Sequence, residues 1–139
     1  MKLLLSYLDK HCIEANEKMK NEEFNCDNSS SEYDFVYLPM DFKSDLNLGY
    51  AFINFTNTIA AVKFYKAYNN LVWGKIISSP KICEIKHARI QGKQELERHF
   101  QRSSFPCKTD EYLPTVFSPP RNGANSSVSA RVVGRRRRA

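Results

Sequence analysis

The stretch Gly49-Tyr50-Ala51-Phe52-Ile53-Asn54-Phe55 holds the residues best suited to chemistry. Read as a β-strand, its period of two puts Tyr50, Phe52 and Asn54 on one face and Ala51, Ile53 and Phe55 on the other. The second set is ordinary core. The first sets two large aromatics beside an amide, and rings fixed on an open, rigid sheet stack on exposed bases for ~1–3 kcal/mol each. Asn54 offers a paired donor and acceptor able to read a base edge, and Gly49 lets a backbone and a ligand approach closely. Lys43 in the preceding loop, with Lys86, Arg89 and Gln91 farther along, are the nearest groups able to line the edges and contact phosphates.

Other chemistry finds little support. His11, His87 and His99 fall on separate elements, and no Ser/His/Asp, Cys/His or paired-carboxylate constellation appears, so the chain is not expected to be an enzyme. Cys12, Cys26, Cys83 and Cys107 are too few and scattered for a disulfide framework and form no C-x-x-C pair, which suits a reducing compartment. His11, Cys12 and Cys26 lack structural-zinc spacing, so no metal or other cofactor is expected, and Cys12 and Cys83 read as small core residues.

The elements that must position the aromatic strand follow from periodicity. Leu4, Leu8, Cys12, Ala15 and Met19 recur at steps of three and four, which predicts a first helix with one buried stripe. Residues 20–32 are polar and acidic and read as a long loop. Tyr33 to Leu38 is rich in β-formers and stopped by Pro39, so it reads as a strand. Thr58 to Asn70 predicts a second amphipathic helix with Ala60, Ala61, Phe64, Ala67 and Tyr68 inward and Lys63 and Lys66 outward. Lys81 to Ala88 reads as a last strand, and Lys93 to Arg102 as a third helix with Leu96 and Phe100 one turn apart.

The 139 residues leave room for one domain and little else. With 42% hydrophobic residues, including 9 Phe and 7 Tyr, the chain can close a core. No apolar run approaches the ~18–20 residues needed to cross a bilayer, and Leu3-Leu4-Leu5 is too short for a signal-peptide core, so a soluble, unsecreted monomer with no membrane partner is expected. The formal charge of +6 is unevenly spread: residues 1–42 carry 4 basic and 9 acidic side chains, residues 43–104 carry 10 and 4, and residues 105–139 carry 7 and 2. Beyond Phe105 the composition turns to Pro, Ser, Asn and Arg, and 105–139 reads as a disordered tail after a domain over 1–104. The terminal run Arg135 to Arg138 suits a nuclear-localisation signal or non-specific phosphate contacts, with a merely solvated end as the bland reading.

The order helix, strand, strand, helix, strand is the ferredoxin-like βαββαβ pattern of an α+β fold without its opening strand. Leu48-Gly49-Tyr50-Ala51-Phe52-Ile53-Asn54-Phe55 resembles the longer RNP octapeptide of RNA recognition motifs, departing at Leu48, where that motif carries a basic residue. The runs YDFVYLPMDF, LNLGYAFINF, FYKAY, KICEIKHARIQGK, HFQ and DEYLPTVFSPPR resemble the C-terminal RNA recognition motif of the Mei-two-like proteins, RNA-binding regulators of meiosis and development. The likeness covers roughly residues 3–121. It implies that the long first loop and the extra C-terminal helix are family features, and that single-stranded RNA is the partner, in the nucleus, the cytoplasm or both. The alternative is a protein-interaction module, or a truncated non-binding fragment, with the third helix lying across the sheet and Leu96 and Phe100 covering the rings.

The resemblance also implies a first strand, central in the sheet order 4-1-3-2, that this sequence lacks before its first helix. Either the domain is N-terminally truncated, or the last strand pairs directly with the aromatic strand in a three-stranded sheet. Truncation is favoured, because a central gap leaves buried backbone groups unsatisfied.

Overall fold

A computed structural model describes residues 2–21, 30–41, 46–71, 83–107, 109–125 and 128–137. Helix α1 (Lys2–Asn21) forms on the apolar stripe, burying Leu8 and Cys12 and half-burying Leu4, Ala15 and Met19. The Asn16 side chain then clamps the returning chain, donating to the Ser31 carbonyl at 3.1 Å and accepting from the Ser31 N–H at 2.7 Å. Strand β1 (Tyr33–Tyr37) follows, buried at every position. A two-residue ribbon, β2 (Met40–Asp41) against β3 (Leu46–Asn47), leads to strand β4 (Phe52–Phe55). Helix α2 (Thr58–Tyr68) starts where the Asn57 side chain accepts from the Ala60 N–H at 2.8 Å, an N-cap that supplies one of the helix's unpaired donors with an acceptor. Helix α3 (Lys93–Phe100) buries Leu96 and half-buries Phe100, one turn apart as its sequence predicts.

The main sheet is four-stranded and antiparallel, in the order β4-β1-β6-β7, where β6 is Thr115–Arg121 and β7 is Ser129–Val132. One face meets α1 and α2: Tyr33, Val36 and Phe117 close a core with Leu8 and Cys12, joined by Ile53, Phe55 and Phe64. The other face joins Phe35, Tyr37 and Val116 to Leu96, Phe105, Leu113 and Val133. A bulge between Tyr33 and Phe35 inserts one residue into β1, so Tyr33 and Phe35, two apart in sequence, serve opposite faces.

The α+β class and the three helices agree with the sequence reading, and four expectations are corrected. Of the strand expected over Lys81 to Ala88, 81 and 82 lie outside the described residues, and residues 83–88 form no strand. Their backbone bonds go to the end of α2 instead: the Cys83 N–H donates to the Leu71 carbonyl at 2.8 Å, and the Asn70 N–H to the Cys83 carbonyl at 2.7 Å. The aromatic strand begins only at Phe52, because Gly49 at φ 99° turns the chain out of the ribbon before it.

The largest correction concerns 105–139, expected to be disordered. Strands β5 (Ser104–Phe105), β6, β7 and β8 (Arg135–Arg136) cross it, and Leu113, Val116, Phe117 and Val133 are core. The prolines mislead because Thr115 and Val116 pair with β1 and Thr115 to Ser118 with β7, and the strand runs on through Pro119-Pro120 to Arg121, which pairs with Tyr33. Arg135 and Arg136 are likewise held in a strand, with the Arg135 N–H on the Ser103 carbonyl at 3.1 Å and the Arg137 N–H on the Phe105 carbonyl at 2.8 Å. Neither the central gap nor the three-stranded sheet expected from the absent first strand is seen: the sheet grows from the far edge of β1, and β4 stands at its margin.

One side-chain cluster and one close backbone approach tie this C-terminal part to α1. The Arg121 guanidinium grips both oxygens of Asp9 on α1, the Tyr33 hydroxyl donates to the same carboxylate at 2.5 Å, and Arg121 lies 5.2 Å over the Phe117 ring. Farther along, Gly123 at φ 91° passes so near α1 that a β-carbon there would stand 2.3 Å from the Asp9 carbonyl oxygen. A side chain there would have to push this turn, just past β6, away from α1.

Candidate nucleic-acid interface

The sheet face away from α1 and α2 carries the aromatic set. Tyr50, 53% exposed, meets Phe52 edge to face with ring centroids 5.7 Å apart. Alternation along β4 holds as its sequence predicts: Ile53 and Phe55 join the α1/α2 core, and Phe52 takes the opposite side. Tyr50 sits just before the strand, in the irregular stretch opened by Gly49, where a would-be β-carbon meets nothing within 4 Å. Backbone torsion rather than crowding selects glycine there.

Phe52 is half-buried rather than open. Tyr37 stacks beside it at 6.2 Å and 15°, and Phe100 of α3 approaches to 6.4 Å. Phe100 also stacks on Phe35 at 6.1 Å and 19° and meets Tyr37 edge-on at 5.1 Å. Helix α3 therefore lies over the rings of β1 and leaves Tyr50 at the rim. Burial pushes the Tyr37 phenol up from its ordinary value, with Tyr50 and Cys107 adding to it.

Asn54 does not stand ready for a base edge. Its amide donates to Asp34 at 2.8 Å. Burial pushes the Asp34 carboxyl up, against the stabilising bond from Asn54 and the charge of Lys93. Arg89 and Gln91 are exposed on either side of Ile90, whose side chain packs with Phe52 and Phe100 on the core, so the pair lies at the border of the face. Gln91 donates to the Ala88 carbonyl at 2.6 Å. Lys86 is exposed next to Ile85, whose N–H the Asn69 side chain holds at 2.9 Å, and so belongs to the end of α2. Lys43 lies outside the described residues.

These observations put an aromatic octapeptide on an antiparallel sheet backed by two helices, and a family model described as RNA recognition motif 2 matches residues 3–101. The chain belongs to the RNA recognition motif 2 family. It is similar to protein terminal ear1 homolog of Oryza sativa subsp. indica, 47% identical over 137 residues, and to protein terminal ear1 of Zea mays, 46% identical over 136 residues. Each match covers 96% of this chain and 20% of the relative. Protein MEI2-like 6 of Oryza sativa subsp. japonica is 41% identical over 134 residues, covering 95% of this chain and 41% of that protein. The chain thus spans about a fifth of the terminal ear1 proteins, and the likeness to MEI2-like proteins stands.

In this RNA recognition motif the sequence reading missed two participants. Asp34 was detectable as a lone carboxylate in a run of β-formers. Tyr37 shares that run with Phe35 and by alternation its face, while the bulge turns Tyr33 to the opposite one. Phe100, expected over the rings on the alternative reading, stacks on Phe35 and meets Tyr37 edge-on. Among the described residues no group of three or more His, Cys, Asp or Glu is gathered to hold a metal.

Proposed function

We propose that this RNA recognition motif binds single-stranded RNA along the sheet face, with Tyr50 as the leading stacking platform and Phe52 presenting its uncovered side. Arg89 and Gln91 line the border, Lys43 and Lys86 contribute phosphate contacts, and Asn54 reads a base edge by exchanging its bond to Asp34. The observation that carries this reading is the exposed Tyr50 ring set edge-to-face on Phe52 in the octapeptide. Because α3 covers the β1 rings, the platform is narrow. On the same reading the chain serves post-transcriptional control of meiosis or development, in the nucleus, the cytoplasm or both, supported by the resemblance to Mei-two-like proteins.

Fluorescence anisotropy with a mixed single-stranded RNA pool tests it. Binding should weaken linearly with the logarithm of salt, and Tyr50→Ala should weaken it by roughly 5- to 150-fold while circular dichroism is unchanged. Equal binding by Tyr50→Ala refutes the stacking role. The position of Phe100 over Phe35 and Tyr37 favours a second reading, a protein-interaction module with a covered sheet. Phe100→Ala separates the two: on the RNA reading, uncovering the β1 rings strengthens binding, whereas on the second neither protein binds RNA.

A further inference from the structure

A second concave surface lies on the opposite side of the domain, where α1 and α2 run side by side. It is a groove of about 370 Å³, within the range of ligand sites at ~300–1,000 Å³. Its apolar lining comes from Ala15 and Met19 on α1 and Ala67 on α2. Beneath these His11 is 5% exposed, packed edge-on against Phe55, Phe64 and Tyr68, and its Nε2 meets no hydrogen-bond partner. Lys18, Lys63 and Lys66 stand around it against a single carboxylate, Glu14. Ile59 and Val62, both exposed, lie one turn before Lys63 and Lys66 on α2 and carry apolar surface along the same flank.

We infer that this groove docks an acidic peptide segment of a partner protein, one apolar side chain seated between Ala15 and Ala67 and flanking carboxylates meeting the three lysines. Charge complementarity selects acid: three cations face one anion. The apolar lining selects peptide over nucleic acid, since a phosphate chain gains nothing from alanine and methionine, and bases stack on aromatic rings rather than on methyl groups. Helix-flanked grooves with an apolar base and a charged border take a single anchor side chain well, because the anchor supplies burial and the rim supplies orientation.

The test uses the full chain and a short fluorescein-labelled peptide of Glu and Asp around one central Trp, with a twin carrying Ser in place of Trp. The Trp peptide binds and the Ser twin binds about tenfold or more weakly. Lys18→Glu, Lys63→Glu and Lys66→Glu combined weaken the Trp peptide by about tenfold or more. Ala67→Trp, at an exposed position, fills the groove and blocks binding without disturbing the core. Equal binding of the two peptides overturns the inference, as does binding indifferent to both sets of variants. So does displacement of the peptide by oligouridylate, which would assign the lysines to RNA.

Discussion

Replacing Phe117 by Ala tests directly whether the last quarter of the chain belongs to the fold. The ring is 3% exposed, edge-on to Tyr33 at 5.7 Å, and lies under the Arg121 guanidinium. Phe→Ala at such a site costs about 3–5 kcal/mol in lost transfer energy and cavity, part of it the ~0.5–1.5 kcal/mol of the aromatic pair. Against a total stability of ~5–15 kcal/mol this is a large share. With a urea slope near ~2 kcal/mol/M, the unfolding midpoint should fall by roughly 1.5–2.5 M. Equilibrium unfolding followed by far-UV circular dichroism measures it, with exposed Arg137→Ala as the control at no change. A disordered tail predicts no effect of Phe117→Ala, so a midpoint within ~0.3 M of the parent refutes the strand assignment of Thr115–Arg121.

Further outcomes follow from the buried polar groups. Arg121→Met should cost about 3 kcal/mol, because it takes the cation away from the largely shielded Asp9 carboxylate and leaves the Tyr33 hydroxyl; thermal melts of the single variant and of Arg121→Met with Asp9→Asn should show the second change restoring part of the loss. Asn54→Ala should cost about 1–3 kcal/mol at neutral pH by removing the donor to Asp34, and less in acid, where that carboxyl, already pushed up by burial, takes a proton; urea midpoints across pH measure the trend. Burial lowers the His11 pKa below its ordinary 6.5, so the unfolded chain binds the proton first and stability should fall as pH drops through 6.5; His11→Leu should flatten that slope in pH-dependent melts. The Cys12 thiol, pushed up to about 12 chiefly by burial, should resist Ellman's reagent at pH 8 in the folded protein and react once urea unfolds it.

Periodicity made the scaffold legible. The Leu8–Cys12 stripe, the capped second helix and the Leu96–Phe100 pair are local signals, decided within a few turns of chain, and the structure keeps them. The alternation that separates Phe52 from Ile53 and Phe55 survives for the same reason. Cys83–Ala88 failed because its β-formers find bonds at the end of α2, a tertiary choice that propensity does not see. The C-terminal strands failed in the other direction: β6 is stabilised by pairing with β1 across most of the chain, while the local composition of Pro, Ser and Asn points to disorder. At the candidate interface the octapeptide revealed which residues share a face, but the roof over them depends on where α3 docks.

The partnership of β1 with β6 has a consequence for how the protein is made. Phe35 pairs with Val116, about eighty residues downstream, so during synthesis at ~5–20 residues per second the first strand waits roughly 4–16 s for its neighbour. Throughout that interval one edge of a strand that the fold buries at every position, Tyr33 to Tyr37, is without its mate, the condition under which nascent chains pair with one another. Non-local pairing of this kind also slows closure of the sheet once the chain is complete. A version in which β6 precedes α1 by circular permutation should therefore refold with less aggregation.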